Sequence, residues 1–497
     1  MSAAADSIGL SLVSHTNVGK TTLARTLLQR DVGEVRDAPH VTEFADAFEM
    51  LATPQGERLL LWDTPGFGDS ARLLRRLQQT ANPLGWFLSE VWDRWRDRPF
   101  WASQQALRHV AATSDVVLYL VSAAEAPDEA GYVAPEMALL GWVGKPVIVL
   151  LNQLGPPREP AVEAAELQRW RDHLAAFAPV AAVLPLDAFA RCWVQEGVLL
   201  QAVAEVLGGE RRALMQRLQA AWQADRLATF DAAVDVLAHG MGRIAAARQP
   251  LDGHDWIARL RSVGAALGRR GAEQGPAALA QAALASALED EVRAETAQLL
   301  ALHRLPGQAQ AEILERVAGG YALQLKLDEG RAALVGGALA GAITGLKADV
   351  ASGGLTLGGG LLVGGLLGAL GAAGLARTVN LVRGTEQSWV SWRPEALDTL
   401  LQAALLRYLA VAHYGRGRGD WQRAESPPHW LALVDEALAA QQPALDALWR
   451  SRTPQADAPA EAQRLADALR APIAQALRQV LRRLYPDASL DAAAAGG

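Results

Sequence analysis

Cysteine is almost absent from this sequence, since Cys192 is the only one among 497 residues. A single thiol excludes an internal disulfide, and the sequence has no spaced cluster of Cys and His that is typical of a zinc site. The nine histidines are scattered, so none is predicted to be catalytic. Residues 1–6 lack the basic start and apolar core of a signal peptide, so we expect a cytoplasmic location.

Lysine is also scarce, because only four of the 47 basic residues are lysines. The formal net charge of -7 argues against a nucleic-acid-binding surface as the main function, since phosphate contacts need clustered Lys and Arg. We therefore expect no nucleic-acid partner. The length is too great for one ordinary domain, and 51% hydrophobic residues allow a substantial core.

A loop that is typical of phosphate binding follows the first apolar run. Residues 14–22, with the sequence SHTNVGKTT, lie between the apolar residues 8–13 and a helical pattern over residues 23–29. A strand, a tight loop and a helix in this order direct backbone N–H groups and a positive helix end at one point, which suits a phosphate. The loop is close to the Walker A motif G-x-x-x-x-G-K-[ST]. Ser14 replaces the first glycine, and a side chain there restricts the backbone more than glycine does.

The Walker A pattern assigns roles within this loop. Lys20 would reach the β and γ phosphates and is a predicted catalytic residue, while the Thr21 hydroxyl would bind Mg²⁺. Because lysine is rare in the chain, a lysine at the phosphate position stands out. The predicted nucleotide contacts in the loop are Asn17, Val18, Gly19, Lys20, Thr21 and Thr22.

A second motif, D-T-P-G, follows residues 59–62, which are predicted to form a buried strand. The Asp63 carboxylate would hold Mg²⁺ through water, and the Gly66 N–H would sense a γ-phosphate, the contact that orders switch loops. Between the two motifs, Thr42 lies in a loop-like segment from which its hydroxyl could close over the metal. The predicted metal ligands are Thr21, Thr42 and Asp63, and the predicted catalytic residues are Lys20, Thr42 and Gly66.

The order of these features is that of a small GTPase. Residues 44–51 and 58–62, separated by the turn residues 53–56, are predicted to form a hairpin between Thr42 and the D-T-P-G motif. The chain resembles the translation-factor-related P-loop GTPases, in the branch of Era, the tRNA-modification GTPase TrmE and the septins, over about its first two hundred residues. The resemblance implies an α/β P-loop GTPase domain with GTP or GDP and Mg²⁺ as cofactors.

Phe67 stands directly after Gly66, where Ras-like proteins carry the glutamine that positions water. An apolar residue is usual here in the branch of Era. The resemblance therefore implies that the group that assists hydrolysis comes from elsewhere, such as a partner, a second subunit or a potassium ion.

The motif that reads the base departs from the family pattern. Residues 146–151 are predicted to form a strand that ends in Asn152-Gln-Leu-Gly155, where guanine-specific members have N-K-x-D. Asn152 is retained as a base contact, but Gly155 replaces the aspartate acceptor, a loss of roughly 1–3 kcal/mol of discrimination. Asp187 follows the apolar residues 180–184 and should emerge at the same sheet edge, so it is a candidate substitute. The alternative is that Asp187 caps the next helix.

Two phrases resemble a family of bacterial proteins that join a GTPase domain to a helical domain of unknown function. These phrases are residues 151–158 and 185–193, and the resemblance extends over the whole chain. Helical spacing dominates after residue 199, with long helices predicted over residues 199–247, 277–302 and 396–413. The predicted domains are a GTPase domain (1–205, with an insertion at about 68–114), helical regions (206–330 and 378–487), a glycine-rich apolar hairpin (331–377) and a flexible tail (488–497).

The insertion and the glycine-rich hairpin each allow two interpretations. Trp86, Trp92, Trp95 and Trp101 lie among charged residues in the insertion, which suits contact with a partner or lipid, or packing on the C-terminal domain. Residues 332–346 and 350–376 carry no charge and repeat glycine at i+4, which favours close helix pairs. Such a hairpin either inserts into lipid or packs inside the helical domain.

The sequence thus predicts a cytoplasmic, membrane-associated GTPase whose nucleotide state controls a helical effector domain. Its expected partners are the nucleotide and an inner-membrane surface or membrane protein, and a homodimer is a further candidate. The alternative is a nucleotide-gated interaction or scaffold module with negligible hydrolysis, because no residue in the sequence is identified as positioning the attacking water.

Overall fold

The computed structural model describes residues 6–15, 18–29, 46–67, 69–78, 98–154, 160–186, 192–250, 276–305, 379–383, 388–413, 428–453, 457–486, 488 and 490. The chain divides into two compact units. The first unit spans Met1–Leu227 and includes two short later segments, His413–Trp421 and Asp487–Gly497. The second unit spans Ala228–Ala412 and Gln422–Pro486.

The first unit contains a six-stranded sheet. Its strands are β1 (Ser7–Ser14), β2 (Asp46–Ala52), β3 (Arg58–Asp63), β4 (Val116–Ser122), β5 (Val147–Asn152) and β6 (Val180–Pro185). They lie in the order β2-β3-β1-β4-β5-β6, and all neighbours are parallel except β2 and β3. Every residue of β1, β4 and β5 is buried, as in parallel sheets that are covered on both faces. The parallel order places the carboxyl ends of five strands at one edge, where ligands bind in open α/β sheets.

Helices alternate with these strands along the chain. The described helices of this unit are α1 (Lys20–Leu28), α2 (Ser70–Gln78), α3 (Arg98–Thr113), α4 (Val133–Val143), α5 (Pro160–Leu174), α6 (Trp193–Val206) and the first part of α7 (Gly209–Ala246). The predicted hairpin is present as β2 and β3, and Gly56 N–H donates to Thr53 O in its turn at 2.9 Å. The predicted insertion includes α2 and α3, while Trp86, Trp92 and Trp95 lie outside the described residues.

The prediction of one helix over residues 199–247 is wrong, because the chain turns between α6 and α7. Leu207 is extended with φ -83° and ψ 153°, and Gly209 has a positive φ of 51°. Glycine adopts that conformation at little cost, so the pair Gly208-Gly209 ends one helix before the next begins. The Arg212 guanidinium donates to the carbonyls of Ala204 and Leu207, which would otherwise lack partners at the end of α6.

The described part of the second unit is mainly helical. Besides the rest of α7, its helices are α8 (Pro276–Leu302), α9 (Pro394–Ala412), α10 (Pro428–Ala439), α11 (Gln442–Arg450) and α12 (Ala458–Leu484). The helices predicted over residues 277–302 and 396–413 are confirmed within two residues at each end. Three of these helices begin at a proline. An N–H at the first helical position has no partner within the helix, so proline, which has no N–H, suits this position.

Short strands also occur beyond residue 205, in the region where helical spacing dominates the sequence. A second, antiparallel sheet contains β7 (Arg248–Pro250), β8 (Val379–Arg383) and β9 (Ser388–Trp392) in the order β7-β9-β8. These strands have three to five residues, too few to show an alternating pattern. Pro250 ends β7 opposite Trp389, and an end position tolerates proline.

The predicted glycine-rich hairpin, residues 331–377, lies outside the described residues. Its fold and its insertion into lipid therefore stay predictions. Of the helices that the structure describes, none combines the length and apolarity that a membrane span requires.

Candidate functional site

The phosphate loop of the prediction joins β1 to α1. Gly19 caps the start of α1 with a left-handed φ of 88°, a conformation that other residues rarely adopt. A Cβ atom at Gly19 would also lie only 2.8 Å from Asn152 Nδ2. Glycine is thus required here by both the backbone and the space. Lys20 follows as the first residue of α1, at the positive end of the helix.

Ser14 occupies the first glycine position of the motif without strain. It is the last residue of β1, and its φ is not positive. Its side chain is buried and donates to His15 O at 2.5 Å. The restriction expected from a side chain at this position therefore has no consequence, because the backbone here does not need glycine.

Thr21 and Asp63 meet beside the loop. Thr21 Oγ1 on α1 donates to Asp63 Oδ2 at the end of β3, at 2.6 Å, although the residues are 42 positions apart. Asp63 is only 3% exposed. A hydroxyl and a carboxylate are oxygen ligands of the kind that Mg²⁺ prefers, so these two residues fit the metal that the family implies.

The segment after Asp63 runs beside the start of the phosphate loop. Thr64 Oγ1 donates to Leu12 O at 2.6 Å, and Phe67 N–H donates to Ser14 O at 2.9 Å. Gly66 lies between these two contacts. The Phe67 side chain is fully buried in the apolar core of the unit, so it contributes packing rather than a polar group for water.

Asn152, the candidate base contact, is bonded to the phosphate loop. It is the last residue of β5, is fully buried and donates from Nδ2 to Val18 O at 2.8 Å. The next residue, Gln153, has a positive φ of 58° and accepts from Ser122 Oγ at 2.8 Å. The carboxyl end of β5 is therefore tied both to β4 and to the loop.

The structure thus brings most of the predicted site together at one edge of the sheet. The described members are Val18, Gly19, Lys20, Thr21, Thr22, Asp63, Gly66 and Asn152. Asn17, Thr42 and Asp187 lie outside the described residues, as does Gly155. The roles of these residues in binding and catalysis stay predictions.

The sequence interpretation missed a polar cluster next to the loop. His15 Nδ1 lies 2.8 Å from Glu136 Oε1, and the Tyr119 hydroxyl donates to Glu136 Oε2 at 2.5 Å. Tyr132 stacks on the His15 ring with 4.6 Å between the ring centroids. A histidine within a Walker A loop was the available signal, but its partner is 121 residues away in sequence.

Burial and charge affect the titration of this cluster. The hydrogen bond between the His15 ring and the Glu136 carboxylate raises the pKa of His15, and the charges of Glu136 and Glu125 act in the same direction. Burial raises the pKa of Glu136, while hydrogen bonds from His15, Tyr119 and Ser70 oppose that rise. His15 and Glu136 are therefore a hydrogen-bonded pair in which the pKa of each group is raised.

Two family models match the chain. Residues 171–479 match the family described as "Domain of unknown function (DUF3482)", which covers more than half of the chain. The chain belongs to the DUF3482 family. Residues 10–153 match the model described as "50S ribosome-binding GTPase". This DUF3482 protein therefore has a P-loop GTPase domain followed by a mainly helical DUF3482 domain, which confirms the resemblance inferred from the sequence.

Solved structures that are similar to this DUF3482 protein include two of Era and one of an elongation factor. A variant of Era from Aquifex aeolicus bound to GDP and AlF4- is 15% identical over 41% of this chain and 58% of that chain, with a TM-score of 0.29. Era in a complex with MgGDPNP and 16S ribosomal RNA is 16% identical over 41% and 58%, with a TM-score of 0.30. A bacterial selenocysteine-specific elongation factor is 13% identical over 41% and 29%, with a TM-score of 0.26.

These matches cover less than two thirds of either Era chain. The strand order of the six-stranded sheet and the two family models define the fold. None of the curated proteins compared with the chain matches it.

Proposed function

We propose that the chain binds GTP and hydrolyses it to GDP and phosphate. The observation that carries this proposal is the contact of Thr21 Oγ1 with Asp63 Oδ2 at 2.6 Å, beside a loop that ends at Gly19 and Lys20. The backbone N–H groups at the start of α1 and the Lys20 ammonium would bind the phosphates.

Each residue has one task in this proposal. Thr21 and Asp63, with Thr42, would hold Mg²⁺, which when bound neutralises charge on the β and γ phosphate oxygens. The Gly66 N–H would contact the γ-phosphate, and its place next to Phe67 N–H supports this, because that neighbour already bonds to the loop at Ser14 O. Asn152 would contact the base, and Asp187 would supply the acceptor that Gly155 lacks.

The purified full-length chain should bind GTP and GDP more tightly than ATP and ADP. Chelation of Mg²⁺ by EDTA should weaken the affinity for GTP by about tenfold, or ~1.4 kcal/mol. Asp63→Asn should remove most of this Mg²⁺ dependence, because it replaces a charged ligand. Asp128→Asn is the matched control, since the Asp128 side chain is 98% exposed. Isothermal titration with each nucleotide measures these affinities. Equal affinity for adenine and guanine nucleotides would contradict the guanine assignment, and no binding of either would contradict the function.

A nucleotide-gated module with negligible turnover is the second candidate function. The burial of Phe67 favours it, because the residue after Gly66 packs in the core and offers no group to position water. Single-turnover hydrolysis by the same protein separates the two candidates. A rate no greater than that of GTP in buffer supports the gated module.

The control of a helical effector domain is the further part of the proposal. Within the first unit, α7 is bonded to elements of the nucleotide domain. Arg217 pairs with Glu57 in the β2–β3 turn at 2.7 Å, and Arg226 donates to Gln29 at the end of α1 at 3.2 Å. The hairpin precedes Asp63 and α1 follows the phosphate loop, so both contacts lie on elements adjacent to the candidate site. The same helix continues to Ala246.

The first residues of α7 add a third contact. Arg211 forms a bidentate pair with Asp115, with 2.6 and 2.8 Å from Nη2 to the carboxylate oxygens, and donates to Ser7 O. Asp115 in turn accepts from Gly9 N–H at 2.8 Å. These contacts support the proposal that α7 responds to changes in the nucleotide domain.

Membrane association completes the proposal and depends on residues 331–377. We expect full-length protein to float with anionic liposomes, and a variant lacking residues 331–377 to remain in the aqueous fraction while still binding nucleotide. Removal of the predicted tail, residues 488–497, is the control and should leave flotation unchanged. Full-length protein that stays entirely in the aqueous fraction would indicate a hairpin packed within the helical domain. A location at the cytoplasmic face of the inner membrane is proposed together with this association, and a homodimer is proposed because a second subunit could supply the group that assists hydrolysis.

A further inference from the structure

A carboxylate is fully buried beside the phosphate loop. Glu136 lies in the first turn of α4 and is 0% exposed. It bonds to two side chains from two different elements, His15 in the loop at 2.8 Å and Tyr119 on β4 at 2.5 Å. Burial of a carboxylate is unfavourable unless hydrogen bonds and charge compensate for lost water. An apolar residue would fill the same space without that cost, so packing alone does not explain Glu136.

The phosphate loop and the segment after Gly66 are joined through the backbone. His15 and Phe67 form a parallel bridge, and Phe67 N–H donates to Ser14 O. Phe67 is the residue directly after Gly66, and Ser70 begins α2 three residues later. The segment that contains Gly66 is therefore held to the phosphate loop through the backbone of Ser14 and His15, and the Glu136 carboxylate fixes the His15 ring.

The geometry also fixes the His15 ring on more than one side. Its Nδ1 atom faces Glu136, and its plane stacks on Tyr132 at an interplanar angle of 17°. The titratable groups that surround it are Glu136 and Tyr132 on and before α4, Tyr119 on β4 and Glu125 after β4. A positive charge on His15 is thus favoured by the carboxylates on both neighbouring elements.

We infer that Glu136 is a positioning residue that fixes His15 and thereby couples the phosphate loop to the Gly66 segment, which the backbone of His15 bridges at Phe67. This inference rests on the proposed nucleotide site. The coupling makes the loop and the residue that senses the γ-phosphate move together, so it stabilises the triphosphate-bound arrangement more than the diphosphate-bound one. Its loss changes the ratio of the two affinities rather than affinity in general.

The test compares binding of GDP and of a non-hydrolysable GTP analogue, both with Mg²⁺, to the full-length protein. Glu136→Gln and His15→Gln should each lower the ratio of analogue to GDP affinity by about tenfold, and slow single-turnover hydrolysis to a similar degree. The double variant should lose little more than either single variant, because both changes break the same link. Glu129→Gln is the matched control, since Glu129 is an exposed glutamate in the loop before α4.

The pH dependence of the affinity ratio separates a positioning role of Glu136 and His15 from a purely structural role. The ordinary pKa of histidine is 6.5, and that of His15 is raised, so its charged form is present below 6.5 and is lost as the pH rises through the raised value. The ratio of GTP-analogue to GDP affinity of the parent protein should fall as the pH rises through this pKa. The ratio of His15→Gln should not change with pH. A carboxylate with a purely structural role would change the melting temperature and leave both the ratio and its pH profile unchanged.

Tyr119→Phe keeps the experiment decisive if Glu136→Gln does not fold. This change removes one hydroxyl from the carboxylate and preserves the volume of the ring, and it should lower the ratio in the same direction by a smaller factor. Parent protein that binds and hydrolyses GTP, with all three variants at the parent ratio, would overturn the inference and leave the proposed function intact. Parent protein that binds neither nucleotide would overturn both.

Discussion

Lys20→Ala is expected to abolish nucleotide binding, with affinity lowered by about a hundredfold or more, or ~2.8 kcal/mol. The reason is that Lys20 begins α1 at the phosphate end and is only half-buried, so its ammonium serves a ligand rather than the core. Circular dichroism and melting temperature should remain those of the parent protein. Fluorescent GDP titration measures the loss.

Lys145→Ala is the matched control for this variant. Lys145 precedes β5, at the opposite edge of the same sheet from the phosphate loop, so its removal should leave GDP affinity unchanged. Unchanged affinity in Lys20→Ala, with the spectrum of a folded protein, would show that the phosphate assignment is wrong.

Arg407→Met is expected to lower the free energy of unfolding of the second unit by about 3–5 kcal/mol, because it leaves a buried carboxylate without its partner. Arg407 on α9 and Glu295 on α8 lie 2.9 Å apart from Nη2 to Oε2, and their side chains are 5% and 0% exposed. Burial raises the pKa of Glu295, while the charge of Arg407 opposes that rise. Urea unfolding of the full-length protein measures the loss.

An exposed pair in the same unit provides the control. Arg483 and Glu436 are also 2.9 Å apart, but their side chains are 62% and 53% exposed, so Arg483→Met should cost no more than about 1 kcal/mol. The double variant Glu295→Leu with Arg407→Met should be more stable than Arg407→Met alone, because no unpaired charge remains. Similar losses of unfolding free energy for Arg407→Met and Arg483→Met would contradict the conclusion that burial of the ion pair determines the size of the loss.

Local patterns predicted the parts of the fold that depend on local chemistry. The apolar runs predicted at residues 8–13 and 146–151 are present as β1 and β5, and both strands are buried, because parallel strands covered on both faces need a continuous apolar sequence. The contact of Thr21 with Asp63 was also predictable across 42 residues, because each belongs to a recognisable motif with a known place in the sheet.

Other features had no local signal. Arg248 pairs with Ser391 across the second sheet, and strands this short are defined by distant partners rather than by their own pattern. His15 and Glu136 are 121 residues apart, and their contact depends on the order of β1 and β4 in the sheet and on where α4 packs. The turn at Gly208-Gly209 did have a signal, a glycine pair, but the helical spacing on both sides hid it.

The edge strand β6 shows that sequence families and folding units divide this chain at different places. The DUF3482 match begins at residue 171, within α5, and therefore includes β6, α6 and the start of α7, all of which belong to the first unit. A fragment cut at the family boundary would carry β6 without its neighbour β5, and an orphan strand of this kind pairs with other chains and aggregates. The fragment would also contain Arg211 without its partner Asp115. Fragments for study of the nucleotide domain should therefore extend to Leu227, beyond both family boundaries.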